Sequence, residues 1–275
     1  MRTTSLCLLG AFFAFFVVAL GAGALGAWTA ASRHSSLDAP PRAANGTFVN
    51  RTQLVRAVQL WYKSPGAAIA SHGAVSDWDV SRVENMSALF CSLPNIPDCS
   101  LLFSYDQNKF NEDISKWDTS RVTDMSYMFA AATWFNRPLD TWNTARVTTM
   151  AHTFAWAGSF NQPLNSWNTV RVTTMARMFA NNEKFNQPLS FDTSNVRNMA
   201  QMFSYDYDEV GILPHFNQIL DFDISSVTTM NGIFYNQGGY IIWSQCNRRR
   251  TYDNFARSPN FQRVWPTAYN WSALC

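Results

Sequence analysis

Trp117-Asp118-Thr119-Ser120-Arg121-Val122-Thr123-Asp124-Met125-Ser126-Tyr127-Met128-Phe129 is one copy of a thirteen-residue pattern that this chain repeats six times. The pattern is an aromatic, Asp or Asn, three free positions, Val, two free, Met, three free, then Phe. It begins at Trp78, Trp117, Trp142, Trp167, Phe191 and Phe222. Its Val column is Val83, Val122, Val147, Val172, Val196 and Val227, with Met three residues later from Met86 to Met230. Apart from Met1, every Met lies in that column or three residues beyond it, as Met128, Met178 and Met202 do. A fixed internal period marks stacked repeats and outranks any single-residue motif in deciding the fold.

Between units, Phe-Asn recurs at Phe110-Asn111, Phe135-Asn136, Phe160-Asn161, Phe185-Asn186 and Phe216-Asn217. The basic unit is about 25 residues, and two insertions, 91–109 and 204–215, leave the repeat at the same corner. Within a unit, Val122, Met125, Phe129 and Ala132 follow the spacing that places residues on one face of a short helix. Ser120 and Thr119 offer N-cap oxygens to it. The preceding Pro138-Leu139-Asp140-Thr141-Trp142 type of segment is proline-led and reads as a brief extended stretch. The expected architecture is therefore an α/β repeat solenoid, like a leucine-rich repeat, with a short extended segment and a short helix in each unit. No unit can bury its own apolar face, so six share one core of Val, Met, Phe and Trp.

The flanks complete the domain reading. Residues 1–27 hold Arg2, an apolar run from Leu6 to Leu20, and small residues at Ala24 and Gly26, the pattern of a secretory signal peptide. The alternative is an uncleaved anchor, since Cys7 to Ala27 carries no charge and is long enough to span a bilayer. Residues 28–50 read as a polar linker. Residues 51–75 read as an N-terminal capping helix, started by Thr52 and stopped at Ser64-Pro65-Gly66. The solenoid covers 76–236, and 237–275, with Arg248-Arg249-Arg250 and an aromatic tail, forms the C-terminal cap.

A hydrophobic content of 47% suffices for a core, and a net charge of +2 gives no bulk electrostatic case for nucleic acid. Outside the signal region there are four cysteines: Cys91, Cys99, Cys246 and Cys275. Cys91 and Cys99 bracket a short Pro-containing stretch suited to a local bridge, which leaves Cys246 and Cys275 for the C-terminal segment, but four cysteines permit three pairings. Asn45, Asn50 and Asn270 are candidate glycosylation sites; Asn85 also fits the sequon but sits beside the core Met86.

Chemistry-bearing motifs are sparse. His34, His72, His152 and His215 share no repeat column, there is no metal-ligand spacing, and nucleotide-binding and nucleophile-elbow motifs are absent, so no catalytic residue, metal or cofactor is assigned. The column Asp79, Asp118, Asn143, Asn168, Asp192 and Asp223 accepts Asn, as turn-forming hydrogen bonds would and acid–base chemistry would not. Arg82, Arg121, Arg146 and Arg171 precede the core Val in four consecutive units, beside Thr119, Thr144, Thr169 and Thr193. Stacking would align these guanidinium groups in a row suited to an anionic ligand; the alternatives are an ion-pair ladder with the Asp column or a solvated face.

The repeat from Phe110-Asn111 through Trp117 to Phe129 resembles the 26-residue repeat of BspA-type leucine-rich-repeat surface proteins, over roughly residues 76–236. The resemblance implies a solenoid and a role in surface adhesion or recognition, without agreed catalytic residues. Phe191 and Phe222 depart from it in place of Trp, and Ala145 and Val170 in place of Ser. The functional expectation is a secreted or surface protein that recognises a protein or an anionic glycan, touching a membrane only if its N-terminal segment stays uncleaved. Two rivals are an extracellular glycan-active enzyme on the same scaffold, using the irregular stretch from Tyr205 to His215, and a ligand-free structural component of the surface.

Overall fold

A computed structural model of the chain describes residues 46–93, 96, 99, 109–205, 215–235 and 244–264. The signal or anchor segment, Asn45, Asn270, Cys275 and most of both insertions lie outside the described residues. Two helices precede the repeats, α1 (Arg51–Lys63) and α2 (Pro65–His72), followed by a 3-10 turn at Val75–Asp77. Two follow them, α3 (Gln245–Ala256) and α4 (Phe261–Val264).

Between these caps the α/β leucine-rich-repeat-like solenoid is not formed. Among the described residues no repeat unit contains a helix, and none contains a strand. Successive units touch instead through isolated parallel bridges, from Asn85 to Asp124, Thr149, Thr174, Asn198 and Thr229. The backbone alternates between two kinds of bond. The N–H groups of Met125, Tyr127, Phe129 and Ala131 donate to Thr149, Ala151, Thr153 and Ala155 of the next unit, at 3.1, 2.9, 2.9 and 2.7 Å. The N–H groups of Met128, Ala130 and Ala132 close four-residue turns onto the carbonyls of Met125, Tyr127 and Phe129. Tyr127 (φ 58°) and Ala131 (φ 57°) are left-handed, which no α-helix tolerates. The 3-4-3 spacing of apolar residues is real and all four are fully buried. It arises here from overlapping turns rather than from 3.6 residues per helical turn.

Aromatic ladders fill the interior. Phe90, Phe129, Phe154, Phe179, Phe203 and Phe234 stack at ring separations of 5.4, 5.5, 5.8, 5.6 and 5.9 Å. A second ladder of Phe110, Phe135, Phe160, Phe185 and Phe216 runs beside it at 6.0–6.2 Å. Each such contact contributes about 0.5–1.5 kcal/mol beyond its buried area. The Asn of each Phe-Asn forms a hydrogen-bond ladder. Asn111 Oδ1 accepts Asn136 N–H, Asn136 accepts Asn161, Asn161 accepts Asn186, and Asn186 accepts Asn217.

Both ends of the stack are covered. At the start, α1 buries Leu54, Ala57 and Val58, and its N-cap is Asn50, whose Oδ1 accepts Gln53 N–H, rather than Thr52. Pro65 does not end the helical region; it takes the first turn of α2, where its missing N–H costs nothing. At the far end, α3 receives the Asn ladder, with Asn217 Oδ1 accepting from Ser244 N–H and Asn247 Nδ2. Thr251 Oγ1 accepts Leu220 N–H and Asn254 Nδ2 donates to Leu220 O, so α3 satisfies both backbone groups of Leu220 in the last coil. Among the described residues, no helix is long and apolar enough to cross a membrane.

Candidate functional site

The turn that leads into each bridge sets the geometry of the exposed face. Asp79, Asp118, Asp192 and Asp223 each accept the N–H two residues on, as do Asn143 and Asn168, so the column is a run of Asx turns. Hydrogen bonds from the Ser194 hydroxyl and then its N–H hold the Asp192 carboxyl below its ordinary range. The next turn closes from Val to the Thr column, as Val147 N–H does onto Thr144 O at 2.9 Å, and puts the Arg before each Val outside.

The Thr residues expected beside those Arg groups are not on the surface. Thr119, Thr144, Thr169 and Thr193 are buried, and their hydroxyls donate to Asn143, Asn168, Asp192 and Asp223 carbonyls of the next unit. A buried hydroxyl needs a partner, and the neighbouring coil supplies it. The threonines that do flank the Arg row are Thr123, Thr148 and Thr173, one residue after each Val. Their hydroxyls bond Glu84, Thr123 and Thr148 carbonyls.

The four sequence-assigned arginines divide. Arg82 lies in the field of Asp79, and Arg121 pairs with Glu84 at 2.8 Å. Arg146 and Arg171 line an open groove of roughly 430 Å³ with Thr148, Val170, Thr173, Asn195, Arg197 and Ser226. Arg197 was not among the sequence-assigned residues. It belongs to the Thr123–Thr148–Thr173 column, and an Arg breaking that column was the signal that could have found it. Arg146, Arg171 and Arg197 have no carboxylate partner among the described residues. Among the described residues no ion-pair ladder with the Asp column forms; beside Arg146 and Arg171 that column holds Asn143 and Asn168.

One column around the groove loses its acid in these two units alone, and two further columns lack an acid there as they do in most units. Where other units carry Asp79, Asp118, Asp192 and Asp223, these have Asn143 and Asn168. Where Glu84 stands in the first unit they have Thr148 and Thr173, and where Asp124 stands in the second they have Thr149 and Thr174. Arg146 and Arg171 thus lie in the two units where Asn replaces the column Asp, whereas the unit of Arg197 keeps Asp192.

Other assigned positions fall elsewhere. Cys91 and Cys99 are bridged to each other. Cys246 is also disulfide-bonded, its partner lying outside the described residues. Asn50 is exposed, and its cap uses the side-chain oxygen rather than the amide nitrogen a glycan would occupy. Asn85 donates from that nitrogen to Asp124 and is half-buried. Among the described residues no three His, Cys, Asp or Glu side chains converge as a metal site would need.

The fold and groove define a class: a stacked-repeat protein with a polar, cationic surface groove built from equivalent positions on successive coils. A family model described as a Mycoplasma protein of unknown function, DUF285, matches residues 64–99 and 97–210, together just over half of the chain. The chain belongs to this family, whose matched region covers the first four repeats and most of the fifth. No curated protein and no solved structure matches it.

Proposed function

We propose that this is a secreted or cell-surface recognition protein, of the BspA-like kind its repeats resemble, that binds an anionic glycan along the groove of Arg146, Arg171 and Arg197. The observation that carries this reading is that three guanidinium groups line one groove with no carboxylate partner among the described residues, two of them in units where Asn143 and Asn168 replace the column Asp. Guanidinium forks match sulfate and carboxylate geometry. A protein partner is the weaker fit, because an interface core needs apolar or aromatic anchors and Val170 is the one apolar residue of the lining. The disulfide-bonded Cys91 and Cys99 accord with an oxidising, extracellular setting. The role is binding rather than catalysis; the stretch that would carry an enzyme's acid and base, 206–214, lies outside the described residues.

The test is binding of the purified chain to immobilised heparin across a salt series. Affinity should fall steeply with salt, and changing Arg146, Arg171 and Arg197 together to Gln should remove binding. The melting curve of that variant should stay close to the parent's, since exposed charges contribute only about 0–1 kcal/mol each. Unchanged binding by the triple variant refutes the reading.

A further inference from the structure

The repeat supplies a cation in four successive units, yet only some of those cations are free. Arg121 is held by Glu84 of the preceding coil at 2.8 Å, both side chains being half-exposed. Glu84 is itself the one acid in its column, which otherwise reads Thr123, Thr148, Thr173, Arg197 and Thr228. Its backbone carbonyl already performs the column's structural task, accepting from Thr123 N–H at 2.7 Å and from the Thr123 hydroxyl at 3.1 Å. The carboxylate is not needed for stacking. At the opposite end, Arg263 of α4 is exposed and donates to Val227 O, next to the groove residue Ser226.

We infer that Glu84 sets the end of the anion groove: by taking the Arg121 guanidinium it limits a linear polyanionic glycan to the coils that carry Arg146, Arg171 and Arg197. This rests on the function proposed above. Coils joined by parallel bridges lie about 4.8 Å apart, so Arg146 and Arg171 face equivalent points on neighbouring coils and favour a ligand that runs along the stack. A single small anion would use one coil and leave the others unsatisfied. Within this frame, each added coil bearing a free cation lengthens the footprint, and the Glu84–Arg121 pair stops that growth. Single-stranded nucleic acid is also a linear polyanion, but its binding sites add aromatic side chains on which bases stack, and none lines this groove.

The experiment compares wild type, Glu84→Thr, Arg121→Gln and the double variant against heparin oligosaccharides fractionated by length, with the Arg146/Arg171/Arg197→Gln triple variant alongside. Glu84→Thr restores the column residue and frees Arg121. Affinity for long oligosaccharides should rise roughly three- to fivefold, the equivalent of an exposed ion pair of up to about 1 kcal/mol. The slope of log affinity against log salt should steepen by about one. The shortest oligosaccharides should show no gain. Arg121→Gln alone should change little, and in the Glu84→Thr background it should cancel the gain, as the cycle for a coupled pair requires. If wild type binds, the triple variant does not, and Glu84→Thr behaves like wild type, the stop is refuted while the groove stands. If wild type binds no heparin fraction, or prefers single-stranded DNA or poly-glutamate, both ideas are overturned.

Discussion

Asn161 carries one rung of the ladder that joins the third repeat to the fourth, and its loss can be priced from the bonds it makes. Its Oδ1 accepts Asn186 N–H at 2.9 Å and Gln187 Nε2 at 3.1 Å, at a half-buried position. Asn161→Ala removes the acceptor of Asn186 N–H, whereas Gln187 Nε2 keeps the Asn161 backbone carbonyl at 3.2 Å. Leaving a half-buried backbone N–H without its acceptor costs about 1–3 kcal/mol, so the loss is roughly 2 kcal/mol. For a chain of this size that lowers the melting temperature by about 4–8 °C. Asn161→Asp separates the explanations, because its carboxylate can accept both bonds. At neutral pH it should melt near the parent. Two N–H donors favour the charged form and depress its pKa in the folded state, so the stability it retains is present above the ordinary Asp range and lost as pH falls through the folded value. Thermal melts at pH 7 and in a descending acid series are the assay. If Asn161→Ala melts within about 1 °C of the parent, the ladder contributes nothing net. If Asn161→Asp is as damaged as Ala at pH 7, accepting these bonds is not what the position requires.

Two further outcomes follow from backbone and burial. Gly232 is left-handed (φ 63°), so Gly232→Ala should cost about 1–2 kcal/mol; Gly66→Ala, inside α2 with nothing within 4 Å, should gain about 0.5–1 kcal/mol. Chemical denaturation of both checks the pair, and a destabilised Gly66→Ala would contradict the assignment of α2. His152 is pushed down to about 4 by burial and then by the nearby Arg177 charge. Between that value and the ordinary 6.5 the unfolded chain binds more protons, so stability should decline as pH drops through this window. His152→Asn should flatten the decline, and an identical pH profile for the variant would rule out His152 as its source.

How much of this was legible from the chain differs by level. The core columns were open to reading because each is a burial statement repeated six times. The Asn ladder was legible because a polar residue fixed beside a core Phe must bond something. The path of the backbone was not. Val122, Met125, Phe129 and Ala132 occupy spacings that a helix and a series of overlapping turns both satisfy, and what separates them is the destination of alternate N–H groups. That destination lies in another unit about 25 residues away and leaves no trace in local spacing. The same ambiguity misplaced the threonines. Thr119 and Thr123 both recur in register, but only the geometry of the turn at 119–122 shows that the first points inward. Arg146 and Arg171 were found by their column, whereas Arg197 stands two positions past Asn195, outside the Arg column, and was passed over.

The left-handed column also explains why this backbone needs neighbours. Two residues after each column Met the chain carries Ala88, Tyr127, His152, Arg177, Gln201 and Gly232, all at positive φ. Glycine would be the least strained choice throughout, and each other residue costs about 1–2 kcal/mol. The side chains recover part of that cost from one another. The Tyr127 and His152 rings stack at 4.2 Å, and Arg177 Nε donates to Gln201 Oε1 at 2.7 Å. Gly232 takes the position after Gln201, where glycine adopts the left-handed backbone without strain. Local strain in one unit is thus offset by contacts with the next, which makes the interface between units, rather than the unit, the element of stability. Substitutions on the outward Arg face leave those contacts alone, so the groove can change its charge without loosening the stack that holds it.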